Sequence, residues 1–122
     1  MARILIVDDE DMVCEDLKTF LTAKEHEVEV AYNGEEGLTK LKAFRPHLVL
    51  LDIRMPGVSG LEALPRMKTA DPNVRIIMLT AVHDADVARM AVREGADDYI
   101  TKPVDLDHLQ TCIMINYIQA VG

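Results

Sequence analysis

Five short runs rich in Val, Ile and Leu alternate with five longer segments in which apolar residues recur every three to four positions. The short runs are Arg3–Val7, Val28–Tyr32, Leu48–Leu51, Val74–Thr80 and Tyr99–Thr101. They are strand-sized and lack a clean polar alternation, as strands covered on both faces do. The longer segments carry Met12, Val13, Leu17, Phe20 and Leu21, then Leu38 and Leu41, then Leu61, Leu64 and Met67. Val87, Met90 and Ala91 follow, and Leu106, Leu109, Ile113 and Tyr117 close the series at helical spacing. Strict alternation of strand and helix predicts an α/β, doubly wound parallel sheet with right-handed crossovers and helices on both faces.

The punctuation agrees with five βα units. Asn33-Gly34 opens the second helix and Arg45-Pro46 closes it. Ser59 with Glu62 three residues on reads as a capping box for the third. Asp84 and Asp105 suit the N-caps of the fourth and fifth, and Gly95 suits the left-handed position after the fourth. Pro65 falls inside the third helical segment and predicts a late start or a kink there.

The 122 residues read as a single domain, 1–122, with no output domain among them. Thirteen Lys+Arg against 21 Asp+Glu give a net charge of −8, which argues against binding of nucleic acid by this domain. No apolar run approaches the ~18 residues of a membrane span. The first residues lack a secretory leader's apolar stretch, so a cytoplasmic location is expected. Cys14 and Cys112 show no metal spacing and read as reduced core or boundary thiols on helices flanking the same side of the sheet. His26, His47, His83 and His108 are scattered and read as surface residues, with His83 in the loop after Thr80 the one nearest a site. No Gly-rich dinucleotide fingerprint follows the first strand.

Open parallel sheets bind ligands beyond the carboxyl ends of their strands. The first strand ends in Asp8-Asp9, the third in Asp52, the fourth in Thr80-Ala81 and the fifth in Lys102-Pro103. A lone Asp at such a place is usually a cap or a turn residue, and Asp9 alone would pass as one. The joint pattern is harder to explain that way. Carboxylates about 4 Å apart repel by ~4 kcal/mol at an effective dielectric near 20, so their pKa values rise or a cation binds. Oxygen donors of this hardness suit Mg²⁺ or Mn²⁺ rather than Zn²⁺. A divalent cation with Lys102 balances three carboxylates, a setting suited to phosphoryl transfer. Asp52, ending a central strand, is the best-placed nucleophile, with Ala81 leaving room and a backbone N–H beside it.

Four blocks carry a resemblance. They are Leu5-Ile6-Val7-Asp8-Asp9-Glu10, Leu50 to Gly57 with Gly60, Leu79-Thr80-Ala81, and Gly95 to Pro103. Together the chain resembles the receiver domains of response regulators in bacterial two-component phosphorelays. The resemblance implies a flavodoxin-like (βα)5 fold with strand order 2-1-3-4-5. It makes Asp52 the phosphoacceptor and assigns Mg²⁺ to Asp8, Asp9, Asp52 and the backbone carbonyl of Arg54. Lys102 pairs with the phosphoryl group, its bond to Pro103 is cis, and Ala81 supplies a backbone contact. Thr80 and Tyr99 form the switch pair.

Arg54 and Val82, two residues after Asp52 and Thr80, flank the phosphoryl group in this family and tune hydrolysis. Val82 offers nothing to position a water and Arg54 shields, which predicts a long-lived phosphoprotein. The implied donor is a sensor histidine kinase, a phosphotransfer protein or a small acyl phosphate. The implied signalling surface is the fourth helix, fifth strand and fifth helix, where Arg89, Arg93, Asp97 and Asp98 suit cross-dimer ion pairs. The last helix, Leu106–Val121, has no Lys or Arg and is apolar on more than one face. A dimer seam there, or a helix continuing into an output domain, is expected over a purely core role. On this reading the chain is no enzyme beyond its own phosphotransfer and autodephosphorylation. Two alternatives stand: a phosphorylation-independent interaction module, and a Mg²⁺-dependent phosphatase with an aspartyl nucleophile. The latter usually sets a second acid two residues beyond the nucleophile, where this chain has Arg54.

Overall fold

The computed structural model describes residues 1–81 and 84–122, with only the backbone described at residue 85. Its strands are β1 (Arg3–Val7), β2 (Glu27–Ala31), β3 (Leu48–Asp52), β4 (Arg75–Ala81) and β5 (Asp98–Lys102). The helices that follow them are α1 (Asp11–Ala23), α2 (Gly34–Phe44), α3 (Gly60–Ala70), α4 (Ala85–Arg93) and α5 (Leu106–Val121). All strand pairs are parallel, in the order β2-β1-β3-β4-β5. This is the doubly wound α/β fold expected.

The period of two along each strand sorts the core into two layers. Leu5, Val7, Val49, Leu51, Ile76 and Met78 pack under α2, α3 and α4. Ile4, Ile6, Leu48, Leu50, Ile77 and Leu79 pack under α1 and α5, with Cys14 and Cys112 in this layer. The two cysteines are therefore on one side of the sheet, buried and unbridged. The edge strand β2 departs from the expected continuous apolar run. Glu27 and Glu29 are exposed, and alternate with half-buried Val28 and Val30. Charges along an open edge also discourage further strand pairing.

Ser59 caps α3 by accepting the Glu62 N–H, Asn33 caps α2 by accepting from Glu36, and Asp105 caps α5 by accepting from His108. Helix α3 starts directly after its cap and runs through Pro65 to Ala70, so no late start occurs. Gly95 takes φ +119 after α4. Asp84 holds the N-cap position of α4 but makes no capping bond; its carboxylate is engaged elsewhere.

His26 and His47 are not surface residues. His26 is buried and His47 half-buried, and each Nδ1 accepts a backbone N–H from the start of the chain, from Ala2 and Arg3 respectively. They satisfy donors ahead of and at the first residue of β1 that no strand neighbour reaches. His108 is exposed, and His83 lies outside the described residues.

Candidate functional site

The sheet register sets the strand ends level. Val7 pairs with Leu51, Asp52 with Leu79 and Ala81 with Lys102. The alternation that buries the core also aims the side chains. Asp8 is in phase with Ile4 and Ile6, Asp52 with Leu48 and Leu50, and Lys102 with Ile100, so all three lean toward the α1/α5 side. Thr80, in phase with Ile76 and Met78, is on the α4 side. Tyr99 pairs with Met78 and is half-buried against that same layer.

Lys102 Nζ is the hub. It lies 2.8 Å from Asp8 Oδ2, 3.2 Å from Glu10 Oε1 and 3.5 Å from Asp52 Oδ1. Asp8 is fully enclosed, and its second oxygen accepts the Glu10 N–H at 2.9 Å. Burial pushes the Asp52 carboxyl up to about 6, Asp8 adds to the rise, and Lys102 opposes it. Burial works against the charge on Lys102, but the hydrogen bond to Asp8 and the Asp52 and Asp8 charges outweigh it and hold the ammonium above its ordinary value. Cys14 donates its thiol to the Asp8 carbonyl at 3.2 Å, and burial beside the acids pushes it up to about 12. It is an inert neighbour at physiological pH.

The carboxylate oxygens of Asp8, Glu10 and Asp52 lie within 4.8 Å of one another. That hard-oxygen donor set fits a small divalent cation. Asp9, expected among the ligands, is exposed and sits over a neighbouring hollow with Tyr32 and Asn33; its charge still adds to the rise at Asp52. Glu10 was missed in the sequence, where it stands only as the last residue of the first resemblance block and is given no role. A period-two count from Asp8 would have aimed it correctly.

Asp52, Arg54, Ala81, Asp84, Glu10 and Lys102 line a cavity of about 170 Å³ at this edge. Thr80 is buried, and its hydroxyl donates to the Ala81 carbonyl at 3.2 Å. The Lys102–Pro103 peptide is cis. Val82 lies outside the described residues. Gly60 lets α3 begin against the backbone of β3: a Cβ there would collide with the Asp52 carbonyl. Arg54 does not project freely. Its guanidinium is bound to Asp84, 2.7 Å from Nε and 2.8 Å from Nη2.

Three of the residues expected to make cross-dimer ion pairs are engaged within the chain. Asp97 takes Lys68 at 2.9 Å, Arg75 at 3.2 Å and the Ile76 N–H at 2.8 Å. Arg89 pairs with Asp86, and Asp98 accepts the Cys112 thiol at 3.0 Å. On α5, Leu109, Cys112, Ile113 and Asn116 are buried, whereas Ile115, Ile118 and Val121 are exposed. Among the described residues no helix is long and apolar enough to cross a membrane.

Known proteins resemble this chain in sequence and in fold. A family model described as "Response regulator receiver domain" matches residues 4–114. Regulatory protein AtoC of Escherichia coli is 40% identical over 111 residues, covering 91% of this chain and 24% of that protein. The DNA-binding response regulator MtrA of Mycolicibacterium smegmatis is 40% identical over 101 residues, covering 83% of this chain and 44% of that protein. The chain thus spans about a quarter to a half of the length of these relatives. The crystal structure of a CheY-like response regulator receiver domain protein from Methanospirillum hungatei superposes with a TM-score of 0.92 at 32% identity. It covers 98% of this chain, which covers 96% of it. Fold, strand-end acids and these likenesses agree, and the chain belongs to the response regulator receiver domain family.

Proposed function

We propose that the chain is a phosphorylation-activated signalling switch in which Asp52 accepts a phosphoryl group. The observation that carries this is the buried Asp52 carboxylate held beside Asp8, Glu10 and Lys102 at the carboxyl edge of the sheet. The donor is a phosphohistidine on a histidine kinase or phosphotransfer protein, or a small acyl phosphate. An Asp52 oxygen bonds to phosphorus while the P–N or P–O bond breaks, and its electron pair leaves with the donor. Lys102 turns from the carboxylates toward the phosphoryl oxygens, and Thr80 and the Ala81 N–H take others. Water attack on phosphorus later releases phosphate and restores the carboxylate.

Asp8, Asp9, Asp52 and the Arg54 carbonyl would hold Mg²⁺ or Mn²⁺, and the position of Glu10 adds it to the donors. When bound, the ion supplies charge neutralisation for the incoming dianion. Thr80 shifting toward the phosphoryl group opens space on the α4 side, into which Tyr99 turns, so phosphorylation biases the α4-β5-α5 surface. Arg54 and Val82 favour a long-lived phosphoryl group. The exposed Ile115, Ile118 and Val121 offer a seam for a second copy or for a following segment of chain. The whole serves a cytoplasmic pathway, and nucleic-acid contact is left to other parts of a longer regulator.

Amide NMR tests the switch. Acetyl phosphate with Mg²⁺ is expected to shift Thr80, Tyr99 and the α4 amides, and a chelator to abolish the change. Full phosphorylation with an unmoved Tyr99 would contradict it.

A further inference from the structure

The Arg54–Asp84 pair joins residues 30 apart in sequence, tying the segment after β3 to the start of α4. Its two parallel N–H···O contacts are the strong, planar form of charge-assisted hydrogen bond. The partners differ in freedom. The Asp84 side chain is 6% exposed and the Arg54 side chain 68%. A long, solvent-facing arm is held by an enclosed anchor. Both residues line the same small cavity as Asp52 and Lys102.

Resting on the reading of Asp52 as phosphoacceptor, we propose that Asp84 is a positioning residue for Arg54. It holds the guanidinium in the unphosphorylated protein and yields it to the phosphoryl group on Asp52, so charge added there is exchanged against the anchor at the start of α4.

The chemistry of the exchange is symmetrical in shape and unequal in charge. A phosphoryl group presents a guanidinium with the same pair of oxygens as a carboxylate, and carries more negative charge. Arg54 is two residues from Asp52, so no large movement of backbone is needed to reach it. Asp84, enclosed at the first turn of α4, cannot follow. Release therefore removes the charged tie between α4 and the β3–α3 segment and leaves the helix held by apolar packing of Ala88 and Ala91, with half-buried Val87 beside them. The equilibrium moves only by the difference in Arg54's attraction to the two anions.

Four proteins test this: wild type, Asp84→Asn, Arg54→Ala and the double variant. Each is treated with acetyl phosphate and Mg²⁺, with intact mass reporting occupancy and its decay. Freeing Arg54 in Asp84→Asn is expected to lengthen the phosphoryl lifetime about fivefold or more, the lower end of ordinary coupling between sites. In the Arg54→Ala background the same substitution is expected to change it by less than about twofold. In wild type the Arg54 Nε–H resonance is expected to move on phosphorylation. Equal lifetime effects with and without Arg54, or an Arg54 resonance that stays in place at full occupancy, would overturn the proposal alone. If Asp84→Asn does not fold, the wild-type resonance decides. A wild-type protein that takes no phosphoryl group removes the phosphoacceptor reading, and this proposal with it.

Discussion

The Lys102 ammonium sits 2.8 Å from an oxygen of the fully buried Asp8 carboxylate, across 94 residues of sequence. It is the only cation among the described residues in contact with Asp8, Glu10 and Asp52 together. With a chelator present near pH 7, Lys102→Met is expected to cost roughly 1–3 kcal/mol, less than for a wholly buried pair because Lys102 retains some solvent. Asp52→Asn, which removes one of the repelling charges, is expected to gain about 1 kcal/mol. Urea denaturation measures both. A neutral Lys102→Met beside a destabilising Asp52→Asn would contradict this charge balance.

Cation binding follows from the same oxygens. Asp8→Asn is expected to weaken Mg²⁺ binding at least about tenfold, the loss that removal of even an outer-shell partner produces. Glu10→Gln is expected to lose less, since its carboxylate is mostly exposed. Calorimetric titration of the two variants gives the comparison. Equal affinity of wild type and Asp8→Asn would take Asp8 out of the donor set.

Gly60 and Gly57 separate two reasons for glycine in one segment. An added Cβ at Gly60 collides with the Asp52 carbonyl, whereas at Gly57 it meets open space but inherits φ +73. Gly60→Ala is expected to cost roughly 2–3 kcal/mol by overpacking against backbone. Gly57→Ala is expected to cost roughly 1–2 kcal/mol, from conformation alone. Thermal unfolding ranks them, and the reverse order would contradict the packing at the start of α3.

Much of the fold was legible because a parallel sheet writes itself locally: each strand is a short apolar run and each helix a periodic one. The site was legible because that topology gathers strand ends. Asp8, Asp52 and Lys102 needed only their places at those ends to be read as neighbours. Contacts between distant side chains leave no such mark. Nothing near Asp84 shows that Arg54 will claim it in place of a cap, and nothing near Asp97 announces Lys68 and Arg75. His26 and His47 were misread because their partners are backbone N–H groups at the start of the chain, which carry no residue signal.

Those two histidines predict a pH dependence. Burial lowers both pKa values below the ordinary 6.5, with the Arg3 charge adding to the effect at His47. The folded state favours neutral imidazole, so their contribution is complete above the unfolded value and is lost as pH falls below 6.5 toward the folded values. Stability is expected to be lower at pH 5.5 than at 7.5. A His26→Gln, His47→Gln double variant is expected to show a smaller difference, read by denaturant midpoints at both pH values. An identical slope in the variant would show that the imidazoles do not titrate with folding.

The phosphoryl stoichiometry of Asp52 tests the central claim most directly. Wild-type protein incubated with acetyl phosphate and Mg²⁺ is expected to gain the mass of one phosphoryl group. Asp52→Asn, with Asp8, Asp9 and Glu10 intact, is expected to gain none. A variant that accepts the group as fully as wild type, or a wild type that accepts none, would contradict the account.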